Sequence, residues 1–237
     1  SMLIEKLERW APGQSYTLIA SLLAGGKRSV TAQQSYELAA LAELASSDPV
    51  LSTWLSSAGR DDNAWRTWPD EHPFRRRFTE FLQKYGHRSV YESYLRHPRW
   101  RDAPGYLLDS IAGLIGGDTA QMHIRQQQAR NNAWRTIRGA LPWHARVGLK
   151  QMLANANQEC NQRELARSSF TMLSAACRPL LLHIGSKLVA NSALSQAEHI
   201  FELTLNEIDL ALRGRIPATG IAARVADRLA LRSHWEN

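Results

Sequence analysis

Cysteine is scarce in this chain: its 237 residues include only Cys160 and Cys177. Two thiols cannot build a disulfide framework, and neither a C-x-x-C pair nor a Cys/His cluster with zinc spacing occurs. A reducing, cytoplasmic setting is therefore expected, with no metal site. Long apolar runs are missing too. No stretch reaches the roughly 18 residues of a membrane span, and no N-terminal segment has the basic, apolar and small-residue order of a signal peptide. No membrane partner is expected. There is also no Walker A sequence, no G-x-G-x-x-G after a strand, no G-x-S-x-G and no H-E-x-x-H. Nothing here binds ATP by a recognisable route, and no cofactor is assigned to the chain itself. Ser1-Met2 reads as a cloning scar, leaving the natural chain free to extend on either side.

What is present is a globular composition, with 44% apolar and 22% charged residues and a mean hydropathy of −0.37. Disordered, collagen-like and membrane classes are excluded, and the length supports a sizeable core. Basic residues outnumber acidic ones by 29 to 22, and 24 of the 29 are arginine. Arginine's planar fork suits phosphate and carboxylate, so nucleic acid, a phosphorylated small molecule or an acidic protein surface all qualify as partners. Coding bias would produce the same excess. The longest basic run, Arg75-Arg76-Arg77, lies in a helical pattern with Phe74, Phe78 and Phe81 and reads as a solvated face, not a polybasic arm. Nucleic acid is disfavoured as a partner, because there is no helix-turn-helix signal and no clustered basic stripe.

Apolar residues recur at three and four almost throughout, and no segment alternates convincingly between hairpin turns. The fold class is all-α, a multi-helix bundle with two subdomains. The pattern predicts helices from Leu3 to Trp10, over Tyr16, Ile19 and Leu22 to a stop at Gly25-Gly26, and from a Thr31 cap with Gln34 in the capping-box position. A short helix over Val50, Trp54 and Leu55 follows Asp48-Pro49. Residues 58–72 are the most loop-like part of the first half and suggest a border between an N-terminal subdomain, 3–60, and a main subdomain, 61–237. Pro73 suits the first position of a helix ending at Tyr85, with Gly86 as a left-handed cap. Further helices are expected over Tyr106–Leu114 up to Gly116-Gly117, and from an Asp118 cap to Ile137. From Trp143 to about Asn191 the period is nearly unbroken, roughly 70 Å at 1.5 Å per residue, with Pro179 as an expected kink. Two capping boxes follow, Ser195-x-x-Glu198 and Thr204-x-x-Glu207, then a stop at Gly214 and a last helix from about Gly220 to Trp235.

The long helix holds the main anomaly. At 100° per residue, Leu149, Met152, Ala156, Cys160, Phe170, Ser174 and Cys177 form one stripe, expected to face the bundle, and Arg163 and Arg167 fall on it. Burying two arginines one turn apart without counter-charge costs several kcal/mol. Something anionic should face them. One reading is an internal carboxylate, either Glu159 or Glu92. The other is an anionic or phosphate-accepting ligand in a cleft, with Cys160 and Phe170 beside it and Glu164 orienting a hydroxyl or accepting its proton. Elsewhere His87-Arg88, Glu92 and His97-Pro98-Arg99-Trp100-Arg101 form either a hydrogen-bonded clamp on an irregular segment or part of a substrate site. The other histidines show no ligand spacing.

Three elements, in order, resemble the middle segment of phosphoenolpyruvate-synthase-like phosphotransferases, in particular the rifampin phosphotransferase group, with the prodigiosin-type ligases nearby. They are Tyr85-Gly86-His87-Arg88 with Glu92 and Pro98-Arg99-Trp100; Arg163-Glu164 with a basic residue at 167; and Gln196-Ala197-Glu198-His199-Ile200-Phe201-Glu202-Leu203-Thr204 with Glu207, which is similar to a P-E-D-I-F-x-L-T-x-x-E stretch. The likeness is good from about residue 73 onward and vaguer over 3–60. It implies an ATP-grasp domain before this region and a swivelling phosphohistidine domain after it, in cis or in trans, with ATP and Mg held there. It further implies that 61–237 binds the small-molecule acceptor, an antibiotic or secondary metabolite with a hydroxyl or carboxyl. Arg163, Glu164 and Arg167 take the places of an Arg-Glu-x-x-Lys motif and are the candidate catalytic residues; His87, Arg88, Glu92, Cys160 and Phe170 are the candidate acceptor-binding residues. Arginine for lysine at 167 keeps the charge but makes a proton-shuttling role there doubtful. Ser89-Val90-Tyr91 replaces a Gly-Pro-Gly-like run, so that segment should turn less sharply, and Ala197 stands where proline is frequent. The alternative function is a non-catalytic basic binding or scaffold module.

Overall fold

A computed structural model of the chain describes residues 5, 8, 9, 12–24, 30–117 and 119–236. Among them there are helices and no strands, as the periodicity requires. Most of the predicted Leu3–Trp10 helix, the Gly25-Gly26 stop and the Asp118 cap lie outside the described residues. The chain forms two compact units, unit 1 from Ser1–Tyr85 with Ala103–Ser168 and unit 2 from Gly86–Asp102 with Ser169–Asn237.

Unit 1 contains α1 (Ser15–Ala24), α2 (Val30–Ser46), α3 (Pro49–Ser56), a 3-10 turn (Ala64–Thr67), α4 (Pro73–Tyr85), α5 (Gly105–Leu114), α6 (Thr119–Ala140) and the start of α7 (Trp143–Ala190). Leu18, Ile19 and Leu22 of α1 pack with Ala133 and Ile137 of α6 and with Leu149 and Leu153 of α7. α2 packs against α3, α4 and α5, where Leu41, Leu55, Phe74, Phe78, Leu107 and Ile111 are buried. Asp48 and Pro49 set the start of α3: the carboxylate accepts the Val50 and Leu51 amides at 2.9 and 3.1 Å, and proline fills the first helical position. α2 starts at Val30, so Thr31 is already helical and does not cap it.

The border expected at 58–72 falls inside unit 1. Trp65 is buried there and meets Phe78 edge-on at 4.9 Å, while Arg60 bonds the Leu55 carbonyl at 2.9 Å and Asp109 at 2.6 Å. A loop-like composition thus conceals two side chains that tie the segment down.

Unit 2 contains the irregular segment 86–102, the rest of α7, a second 3-10 turn (Ala197–Glu202), α8 (Leu205–Leu212) and α9 (Ala218–Glu236). Its core is Leu188, Leu194, Ile200, Ile208, Ile221 and Val225. α7 runs through Pro179 as one 48-residue helix. The 3-10 turn comes so close to α7 that a Cβ on Gly185 would lie 2.3 Å from the Ala197 carbonyl oxygen. Thr204 and Glu207 form the predicted reciprocal capping box on α8. The box predicted at Ser195 does not form: Gln196 is the cap residue, without a side-chain cap bond, and the Ser195 hydroxyl lies 3.0 Å from His199 Nδ1. Gly214 has φ +66°, as its terminating role requires, whereas Gly86 is not in the left-handed region. The chain leaves α4 instead through backbone bonds to the far end of the segment, from Arg101 N–H to the Gly86 carbonyl at 3.1 Å and from Trp100 N–H to the Arg88 carbonyl at 2.8 Å.

Candidate functional site

The first candidate group sits on the unit 1 part of α7. Leu149 and Leu153 are buried, but beyond them no residue of α7 is buried until Thr171. The expectation that one stripe faces the bundle along its length is therefore corrected: Cys160, Arg163 and Arg167 are exposed, and Phe170, in unit 2, is 62% exposed. Periodicity shows which face of a helix is apolar, not where along 48 residues its neighbours stop. Glu92, one of the two candidate internal carboxylates, belongs to unit 2 and pairs with Arg88. Glu164 is half-buried and accepts the Thr31 hydroxyl proton. α2 thereby holds the carboxylate of Glu164, while its sequence neighbours Arg163 and Arg167 are exposed.

The second group, His87, Arg88 and Glu92, is brought together in unit 2. Arg88 Nε donates to Glu92 Oε1 at 2.5 Å across one turn of chain, with the guanidinium 5.9 Å from the centre of the Trp100 ring. His87 is 3% exposed; burial, then the positive Arg88 and Arg101, pushes its pKa below the ordinary 6.5, so it is neutral at pH 7. The arrangement is a clamp that holds residues 86–102 in a defined non-helical path, and two arginines complete it. Arg99, 1% exposed, donates from Nη1 to Ser89 Oγ and to the Glu92 carbonyl, each at 3.2 Å. Arg178 of α7, 6% exposed, donates from Nη1 to the carbonyls of Leu95 and Arg96 at 2.6 and 2.9 Å. Ser89 thus uses a hydroxyl that glycine would lack. Sequence reasoning picked out Pro98-Arg99-Trp100 as a motif but missed Arg178, whose only signal was a charge inside the apolar stretch before Pro179.

A cavity of about 1040 Å³ opens beside this segment, lined among others by Tyr91, Tyr94, His97, Leu181, Phe201 and Ile208. The Tyr91 and His97 rings lie 4.7 Å apart, and both tyrosines are more than half exposed. Arg96, Thr204 and Arg232 supply the polar part of its wall. Its size and mainly apolar lining suit a bulky small molecule. Nothing in the sequence marked it, because its walls come from four separate stretches of chain.

A third cluster also escaped the sequence. Arg224, Arg228 and Arg232, four residues apart on α9, meet buried carboxylates of Glu207 and Glu202. Glu207 accepts both Nη1 and Nη2 of Arg228, at 2.7 and 2.8 Å, together with Arg224 and the Thr204 amide. These bonds, the Arg228 fork foremost, lower its pKa from 4.5 to about 2. Among the described residues no group of three His, Cys, Asp or Glu converges as a metal site, and no helix is long and apolar enough to cross a membrane.

Comparison with known proteins gives this geometry a context. Residues 1–164 match the family described as the rifampicin phosphotransferase fourth domain. Over 124 residues the chain is 26% identical to the prodigiosin synthesizing transferase PigC of Serratia marcescens. That alignment covers 51% of this chain and 14% of the relative, so the chain spans only a small part of that protein.

Proposed function

Because the chain belongs to the rifampicin phosphotransferase fourth-domain family, we propose that it is the acceptor-binding helical domain of a phosphoenolpyruvate-synthase-like, ATP-dependent phosphotransferase. Its acceptor is an antibiotic or secondary metabolite presenting a hydroxyl or carboxyl group. The observation that carries the reading is the 1040 Å³ cavity in unit 2, whose aromatic and aliphatic lining suits a large, mainly apolar molecule. ATP-grasp and phosphohistidine domains, in cis or in trans, supply the phosphoryl group. On the same family resemblance, those domains hold ATP and Mg.

The phosphotransfer roles rest on the motif resemblance and not on the cavity, since Leu181 of its wall lies 17 residues beyond Glu164 on α7, roughly 25 Å at 1.5 Å per residue. On that resemblance Arg163 and Arg167 neutralise charge growing on the phosphoryl oxygens, and Glu164 takes the acceptor proton. The acceptor oxygen forms the new bond to phosphorus as the bond to the donor histidine breaks. The exposure of Arg163 and Arg167 supports this assignment, since a phosphoryl group delivered by another domain must reach them from outside. Thr31 is a positioning residue, holding the Glu164 carboxylate by its hydroxyl. Kinetics with the donor domains present test the proposal: Arg163→Ala lowers kcat by at least about 100-fold with folding retained. Unchanged turnover removes Arg163 from the mechanism.

A further inference from the structure

The buried end of the 86–102 segment holds more positive charge than its partners account for. Arg99 is 1% exposed, and its Nη1 is taken by Ser89 and the Glu92 carbonyl. Its Nε and Nη2 are buried and have no hydrogen-bond partner among the described residues. Those two nitrogens share the edge of the guanidinium that grips a carboxylate or phosphate bidentately. Arg178 shares part of the pattern: Nη1 serves two carbonyls, and Nε is buried without a hydrogen bond. Arg178 is close enough to Arg99 to disfavour its charge, on top of the larger effect of burial. The nearby carboxylates do not complete them. Glu92 is engaged by Arg88, Asp102 stands 3.8 Å from Arg178 Nε, and Glu198 acts on Arg178 only at longer range. Burying an arginine with an unpaired fork is costly, and a native structure retains one where something fills it.

We propose that the free edge of Arg99, together with Arg178 Nε, forms an anion site that holds a tetrahedral, phosphate-class oxyanion inside unit 2. The site is separate from Arg163, Glu164 and Arg167 and does not depend on the phosphotransfer reading. Two sources supply the same chemistry, free inorganic phosphate or the phosphate ester of a larger molecule. The second is open because Leu95 and Arg96, whose carbonyls Arg178 holds, also line the cavity that contains Tyr91 and Tyr94.

The test is calorimetric titration of the 237-residue chain with inorganic phosphate and with phenyl phosphate, against chloride at equal ionic strength. Arg99→Lys and Arg178→Lys, which keep the charge but lose the fork, run in parallel, and the arginine Nε–H resonances of the unsubstituted chain are followed by NMR. The expected result is saturable phosphate binding that shifts two Nε–H resonances and weakens at least about tenfold in either variant that folds. Equal affinity for the two probes assigns the site to the free anion. Tighter phenyl phosphate binding, with the excess lost in Tyr94→Ala, assigns it to a ligand ester reaching in from the cavity. No saturable binding, or binding that leaves the Nε–H resonances and both variants unaffected, overturns the proposal and leaves buried water as the occupant.

Discussion

Replacing Glu207 with glutamine removes one charge from a heavily bonded carboxylate in unit 2. The carboxylate accepts two bonds from Arg228 and one from Arg224, at 2.7 to 3.0 Å, and its pKa falls from 4.5 to about 2. At about 1.4 kcal/mol per pH unit, that lowering bounds its contribution at about 3.5 kcal/mol. Arg224 and Arg228 are each about a third or more exposed, and water screening brings the expected loss in Glu207→Gln to about 1–2 kcal/mol. A lowered carboxylate pKa means stability present above pH 4.5 and lost as pH falls toward 2. The gap between the two proteins should therefore be full at pH 7 and close between about pH 4.5 and 2. Urea unfolding at stepped pH, followed by far-ultraviolet circular dichroism, reads it. A gap absent at pH 7, or undiminished near pH 2, would refute the reasoning.

Gly185→Ala pushes a Cβ to within 2.3 Å of the Ala197 carbonyl oxygen and should destabilise unit 2 by about 1–3 kcal/mol, read by the same unfolding curves. Thr204→Ala removes the hydroxyl half of a formed capping box and should cost about 1 kcal/mol. Thr31→Val releases Glu164 from its one side-chain donor named above; with the donor domains present, kcat should fall several-fold with KM unchanged, while the melting temperature stays within a few degrees. An unchanged kcat removes Thr31 as a positioning residue.

Where local chemistry decides structure, the sequence was readable. Pro73 followed by Phe74, Phe78 and Phe81 defines α4 without tertiary information, and Thr204 with Glu207 forms its box because both partners lie within one turn. The misreadings share a cause, which is a competing partner distant in sequence or a different local geometry. Thr31 has a cap residue's chemistry, but its hydroxyl is taken by Glu164, 133 residues away. Ser195 pairs with His199 because the chain enters a 3-10 turn there. Gly86 needs no left-handed conformation because Arg101 closes the turn from outside.

The candidate site divides the same way. Arg88 and Glu92, four residues apart, pair as their spacing suggested. Arg178 was invisible as a partner of Leu95 and Arg96, 83 and 82 residues earlier. The arginine ladder of α9 looks like an ordinary solvated face until Glu202 and Glu207 are seen buried beneath it.

Acceptor binding is the central claim, and calorimetric titration of the chain with a panel of hydroxylated polyketides, rifamycins and acyl or peptidyl intermediates tests it most directly, with Tyr94→Ala in parallel. The account predicts saturable binding of one class, weakened about five- to tenfold by Tyr94→Ala with an unchanged melting temperature, since Tyr94 is 64% exposed. Binding of none of the panel, or binding indifferent to Tyr94, would contradict the assignment of the unit 2 cavity to the acceptor.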